Sequence, residues 1–276
     1  MPLTLPLSLP LSTALDAGLG VARKAIAACA ADATYAVTRR PLVVVAPHPD
    51  DETLGCGATI ARAATAGSPV TVVVVSDGSR SHESSIVSAS ELAAIRRSEA
   101  RAAVARLGGG VHLRFLDFPD GALPESVPAM ARALESVFDD VPADIVLSPM
   151  LAEPHPDHAA VARAVRIARS RRAASGELLE YPVWLWSRWP GSGSVAHRVA
   201  AAAPHLLGRA VRVSTSGGHL DRKREALDAY ATQMTHYRGD PDWHPLPPRM
   251  VARFFGAFEV FFPARRPALG SVALVE

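Results

Sequence analysis

The chain has 276 residues, of which 49% are apolar and 20% charged, and its formal net charge is +2. That composition suits a globular domain with ample core material, and the near-neutral charge supplies no field that would argue for a nucleic-acid partner. No apolar run reaches the roughly 18–20 residues of a membrane span, and a first segment without a cationic lead, interrupted by Pro2, Pro6 and Pro10, argues against a secretory signal.

Cys29 and Cys56 are the only cysteines, too few for a disulfide framework or a thiolate zinc site, so a reducing, cytoplasmic setting is expected. Lysine occurs only at Lys24 and Lys223, and asparagine is absent; this is the coding bias of a GC-rich genome and says nothing about function.

Residues 1–35 form an N-terminal extension, with a Pro/Leu/Ser stretch leading into an Ala-rich helix over 14–31. A regular alternation begins at Leu42. The apolar run 42–46 reads as a buried strand, 55–66 as a helix and 69–76 as a second buried strand. A polar loop over 79–90 precedes a helix over 91–107 that Gly108-Gly109-Gly110 ends. Then come a strand over 112–116, a helix over 126–139, a strand over 144–148 and a helix over 157–172. Further on, 180–186 alternates as a strand, placing Trp184 and Trp186 on one face; 210–215 is another strand and 220–234 a helix. The last thirty residues mix aromatics and prolines and give no assignable element. The reading gives three segments: the extension 1–35, a catalytic domain 36–264 and a tail 265–276. Strands alternating with helices of these lengths predict an α/β fold, a Rossmann-like open and mostly parallel sheet with helices on both faces.

Two blocks carry the chemistry. His48-Pro49-Asp50-Asp51-Glu52 directly follows the first buried strand, and His155-Pro156-Asp157-His158 follows the strand at 144–148. Ligands of open α/β sheets bind beyond the carboxyl ends of strands, where both blocks fall. His48 and Asp51 enter a helix three residues apart and can face one point, to which a separate strand end brings His158. Two imidazoles and a carboxylate make a three-ligand zinc site with a position left for water. Magnesium and calcium prefer all-oxygen shells; ferrous iron accepts the same ligands as zinc. Asp50 stands beside the ligands as general base. His155 supplies an imidazole to stabilise an oxyanion or protonate a leaving amine, with Asp157 orienting its ring. Glu52 is expected behind the ligands or on the free amides of the helix start.

The paired blocks resemble the PIG-L/LmbE-like deacetylases, and the likeness continues in Arg96-Arg97-Ser98-Glu99, in Leu116-Asp117-Phe118-Pro119-Asp120-Gly121, and in Lys223-Arg224-Glu225-Ala226-Leu227 with Tyr230 and Gln233. The resemblance covers roughly residues 40–260. It implies zinc-dependent hydrolysis of an N-acetyl group on an N-acetylglucosamine-type sugar or glycoconjugate. It also implies His48, Asp51 and His158 as ligands, Asp50 as base, His155 as the electrophilic or acidic imidazole, and Arg96 and Asp120 as substrate contacts. The partners expected are therefore a small amino-sugar substrate, with no nucleic acid and no membrane span.

Weaker signals have plainer readings. Gly55-Cys56-Gly57 lacks the third glycine of a dinucleotide fingerprint and is expected to let the helix approach the sheet. His82 reads as a surface histidine, and Arg163, Arg166 and Arg169 as a solvated helix face. Two alternatives stay open: a metal-dependent hydrolase of a non-sugar amide or a phosphoester, and a non-catalytic sugar-binding protein of the same fold.

Overall fold

The computed structural model describes residues 23–171, 176–188 and 210–264. Eight strands form one sheet: β1 (Ala31–Asp32), β2 (Leu42–Ala46), β3 (Val70–Ser76), β4 (Val111–Phe118), β5 (Ile145–Pro149), β6 (Glu177–Tyr181), β7 (Val211–Ser214) and β8 (Phe258–Pro263), in the order β1-β7-β8-β6-β5-β2-β3-β4. Every pairing is parallel except those of β8 with β6 and β7. The expected open, mostly parallel sheet is therefore present.

The main helices are α1 (Thr34–Thr38), α2 (Asp51–Thr65), α3 (Ala89–Leu107), α4 (Val127–Asp140) and α5 (Pro156–Arg171). Strand side chains point alternately to the two faces, and both faces are covered. Val44, Val72 and Leu147 pack with Ile60 of α2 and Val104 of α3, whereas Val43, Val73 and Val146 pack with Leu134 of α4 and Val161 of α5. This explains why β2 and β3 are unbroken apolar runs: neither face sees water.

β2 continues to β3 on one side and pairs with β5 on the other, so the chain reverses its winding between β2 and β5. A crevice opens beyond the carboxyl ends of these two strands.

Several boundaries differ from the sequence reading. Helix α2 starts at Asp51, not near residue 55, because the amides of Thr53 and Leu54 already bond to Asp50 O, at 3.0 and 2.8 Å. The segment read as one strand over 180–186 is strand only to Tyr181; a turn follows, then α6 (Leu185–Arg188), so Trp184 and Trp186 do not share a strand face. The helix expected over 220–234 is two helices, α7 (His219–Leu227) and α8 (Ala231–Met234), with Tyr230 between them. The unordered C-terminal stretch yields α9 (Pro248–Val251) and the antiparallel β8. Residues 23–29 are helical, and β1, from the segment assigned to the extension, pairs with β7. The earlier part of that extension and the tail lie outside the described residues.

Candidate metal centre and catalytic cleft

The two His/Asp blocks converge. Asp51 Oδ2 lies 3.2 Å from His48 Nδ1 and 3.2 Å from His158 Nε2. The His48 and His158 rings are 5.3 Å apart between centroids. One ligand atom from each of His48, Asp51 and His158 falls within 4.8 Å of the others, and a second set, His48, His155 and Asp157, meets the same limit. The first set fits a divalent metal better, because of His158. Its ring is wholly buried, and apart from the close Asp51 Oδ2, which makes no well-formed hydrogen bond to it, Nε2 meets no acceptor or donor among the described residues. A buried ring nitrogen without a partner costs free energy unless something else occupies its lone pair. With Asp51 Oδ2 beside it and His48 Nδ1 beyond, the donor set suits a transition-metal ion.

Asp50 is held from two sides in an unusual backbone conformation, φ 121°. A non-glycine residue pays strain there and stays only where its surroundings impose it. Glu52 Oε2 accepts the Asp50 N–H at 3.1 Å, while Arg96 donates to Pro49 O and approaches Asp50 Oδ2 at 3.4 Å. Burial pushes the Asp50 carboxyl well above the usual range; Arg96 opposes the shift, and Asp51 and Glu52 add to it. Glu52 is wholly buried and also accepts the Thr53 and Tyr230 hydroxyls, both at 2.5 Å. The buried Tyr230 of the sequence likeness thus acts through Glu52.

His155 sits between the two ligand rings and the cleft wall, 5.1 Å from His48, 5.0 Å from His158 and stacked on Trp184 at 5.9 Å. Burial, and then the positive charges of His48 and His158, lower it to about 4, so it is neutral near pH 7. The Asp157 backbone N–H approaches His155 Nδ1 at 3.3 Å, which leaves the ring proton on Nε2.

The Asp157 carboxylate does not orient His155, as the sequence suggested; its Oδ2 reaches His48 Nε2 at 3.1 Å and accepts the Gly121 N–H at 2.9 Å. Asp120 Oδ1 reaches the same His48 nitrogen at 3.1 Å, and Oδ2 accepts the Arg80 N–H at 2.9 Å. Burial alone would lower His48, but hydrogen bonds to Asp120, Asp157 and Asp51 raise it well above its ordinary value. Burial would raise Asp120, yet the contact with His48 brings it down to about 2. Arg96 and Asp120, expected as substrate contacts, both line the cleft; Arg96 also faces Asp50, and Asp120 faces His48.

Glu153 has no counterpart in the sequence reading. Its wholly buried carboxylate lies 3.5 Å from His158 Nδ1 and accepts the N–H groups of Val183, Trp184 and Leu185 at 2.8, 2.8 and 3.2 Å. Its place two residues before His155, at a strand end, is the one signal that could have flagged it. His82 is likewise more than a surface residue: it stacks on buried Trp243 at 4.4 Å and donates from Nε2 to His244 O at 2.9 Å, lining the cleft. The cleft above these groups has a volume of about 650 Å³.

The sequence matches the PIG-L family, described as GlcNAc-PI de-N-acetylase, over residues 43–169. It is 30% identical over 135 residues to the uncharacterized deacetylase YaiS of Escherichia coli, a match spanning 47% of this chain and 68% of YaiS. The chain belongs to the PIG-L family. It is also 33% identical over 122 residues to the diacetylchitobiose deacetylase of Thermococcus kodakarensis, but that match spans 43% of this chain and less than half, 45%, of the relative. The A40926 pseudoaglycone deacetylase Dbv21 shares the fold, with a TM-score of 0.60 at 24% identity over 82% of this chain and 97% of that one. The PIG-L match contains both His/Asp blocks but ends before Trp184 and Tyr230, which the fold nevertheless delivers to the same site.

Proposed function

We propose that this protein is a zinc-dependent N-deacetylase that removes the acetyl group from an N-acetylated amino sugar of the N-acetylglucosamine type or from its glycoconjugate. The observation that carries the reading is the convergence of His48, Asp51 and the buried His158 on one point at the base of the cleft. The relatives' names support the bond and the sugar class: one is a diacetylchitobiose deacetylase, another a probable N-acetyl-alpha-D-glucosaminyl L-malate deacetylase.

His48, Asp51 and His158 would hold the zinc, which when bound supplies a Lewis acid and brings a water's pKa down towards neutrality. Asp50 takes the proton of the attacking water as the new C–O bond forms. It can then return that proton to the amine nitrogen when the C–N bond breaks. His155, neutral with its proton on Nε2, donates a hydrogen bond to the oxygen that gathers negative charge. Trp184 and Asp157 fix its ring from the face and from Nδ1. Among the described residues no helix is long and apolar enough to cross a membrane.

The test is acetate release by the purified zinc-loaded protein on a panel of N-acetyl sugars, with metal content measured beside it. Asp50→Ala is expected to keep zinc and lose turnover, and His158→Ala to lose both. Equal zinc in wild type and His158→Ala refutes the ligand assignment; release from a non-sugar amide but from no sugar refutes the substrate class.

A further inference from the structure

A buried ion pair reaches into the backbone of the helix that carries Asp51. Lys223 of α7 is wholly buried and Glu259 of β8 nearly so, and Lys223 Nζ donates to Glu259 Oε1 at 2.7 Å. Both side chains also bond to α2. Lys223 Nζ donates to Leu54 O at 2.8 Å. The Glu259 carboxylate accepts the Ala58 and Thr59 N–H groups at 3.0 and 2.8 Å and the Thr59 hydroxyl at 2.6 Å. In a regular α-helix the Ala58 N–H belongs to Leu54 O. Only the first four N–H groups of a helix lack such a partner, and Ala58 lies well inside α2. Here each half of that pair is bonded to one member of the ion pair, and side chains inserted in this way set the course of a helix. The sequence makes room for the lysine: a Cβ at Gly57 would stand 2.8 Å from Lys223 Cγ.

A buried ion pair adds little stability that an apolar pair of the same volume would not. Its placement is more informative. The pair grips α2 between residues 54 and 59, directly after Asp50 and Asp51. Asp50 holds a φ of 121°, a conformation that persists only where the surroundings impose it. Asp51 Oδ2 must stay within reach of both imidazoles, each 3.2 Å away. Leu54 links the pair to them, since its N–H bonds to Asp50 O at 2.8 Å and its C=O to Lys223. We infer that Lys223 and Glu259 are positioning residues: they fix the first turns of α2 so that Asp50 and Asp51 face the point where His48 and His158 converge. For the reaction served this rests on the deacetylase reading, to which it adds two residues from beyond the matched region 43–169.

Two variants of the full chain disturb the pair in different ways. Lys223→Met/Glu259→Gln removes both charges and keeps an amide oxygen for the Ala58 and Thr59 N–H groups. Gly57→Ala keeps both charges and pushes on the lysine stem. Asp221→Asn, which removes half of an exposed ion pair with Arg224 on α7, is the control. The readouts are urea denaturation, zinc affinity by chelator competition, the visible spectrum of the cobalt-substituted protein, and acetate release from N-acetylglucosaminides. In the first two variants zinc affinity should fall by about tenfold or more, and the cobalt bands should shift with the ligand geometry. The kcat should fall by about tenfold or more with KM within a few-fold of wild type, while unfolding in urea stays cooperative. Asp221→Asn should match wild type throughout. Wild-type affinity, spectrum and kcat in whichever variant folds overturns the assignment. Failure of both variants to fold also overturns it, and makes the pair a strut of the whole fold. Weakened zinc and shifted bands in a family of proteins that release no acetate, wild type included, defeat the deacetylase reading and leave the positioning of Asp51 standing.

Discussion

The carboxylate of Glu153 lies 3.5 Å from Nδ1 of His158, and both side chains are wholly buried. A carboxylate behind a ligating imidazole fixes the ring's tautomer and turns the opposite nitrogen to the metal. Glu153 also gathers the three amides that start the Trp184 turn. Glu153→Gln should weaken zinc affinity by about 10–100-fold, read by competition with a chromogenic chelator, while the metal-free protein still folds. Unchanged affinity would mean that Glu153 serves only the turn.

Arg96 is wholly enclosed by the site it supports, bonding to Pro49 O and facing Asp50. Its loss should release Asp50 from its strained conformation and act on turnover more than on binding. Arg96→Ala is expected to lower kcat by about 10²-fold or more, the scale of a displaced catalytic group, with KM within a few-fold of wild type. Lysine lacks the planar fork and should recover little. A large rise in KM at unchanged kcat would show that Arg96 acts as a substrate contact instead.

Protons and metal compete for the same groups. In the metal-free protein Asp120 is lowered to about 2, Asp157 is lowered and His48 is raised well above its ordinary value. A depressed carboxylate stabilises the fold above its unfolded pKa of about 4, and that contribution is lost as pH falls through the folded value. A raised imidazole contributes fully below its unfolded pKa of about 6.5, and that contribution is lost as pH rises through the folded value. These three groups contribute most to the metal-free protein between about pH 4 and 6.5, while His155, lowered to about 4, and Asp50, raised, oppose them there. Zinc needs deprotonated imidazoles, so its stabilisation should grow with pH across neutrality. Thermal denaturation with and without chelator checks this: the zinc-dependent rise in Tm should be larger at pH 8 than at pH 5.5, and a constant rise would contradict it.

The sheet and the floor of the site were legible because their signals are local. Val43 to Val45 and Val70 to Val75 can hardly be other than doubly covered strands, and the two His/Asp blocks sit where a parallel sheet exposes ligands. Glu153 was not legible as a site residue, and neither were the roles of Trp184 and Tyr230, which the sequence singled out only among its aromatics and in the family likeness. Each acts through a contact with a residue distant in sequence or across a turn, and no periodicity marks a carboxylate that collects amides. The strand expected over 180–186 failed for a related reason: alternation continued past Tyr181, but Glu153 captures the amides of 183–185 and turns the chain. Asp157 was assigned to its sequence neighbour His155, whereas convergence of the two blocks brings its carboxylate to His48.

Gly55 offers a test of how tightly the ligand-bearing helix must approach the sheet. It lies in α2, one turn beyond Asp51, where alanine would ordinarily be the better helix former by about 1 kcal/mol. A Cβ at this position would stand 2.3 Å from Cδ2 of Tyr181. That ring cannot give way: it is wholly buried, and its hydroxyl donates to Val45 O at 2.8 Å. The clash should outweigh the helix propensity, so Gly55→Ala is expected to destabilise the fold by about 1–3 kcal/mol, the range for overpacking. Displacement of α2 would also move Asp51 away from His158, so zinc affinity should fall together with stability. Gly109→Ala, where an added Cβ meets nothing within 4 Å, should change stability by no more than about 0.5 kcal/mol. Urea denaturation of both variants decides the matter: a Gly55→Ala protein as stable as wild type would show that α2 and β6 can separate without cost to the site.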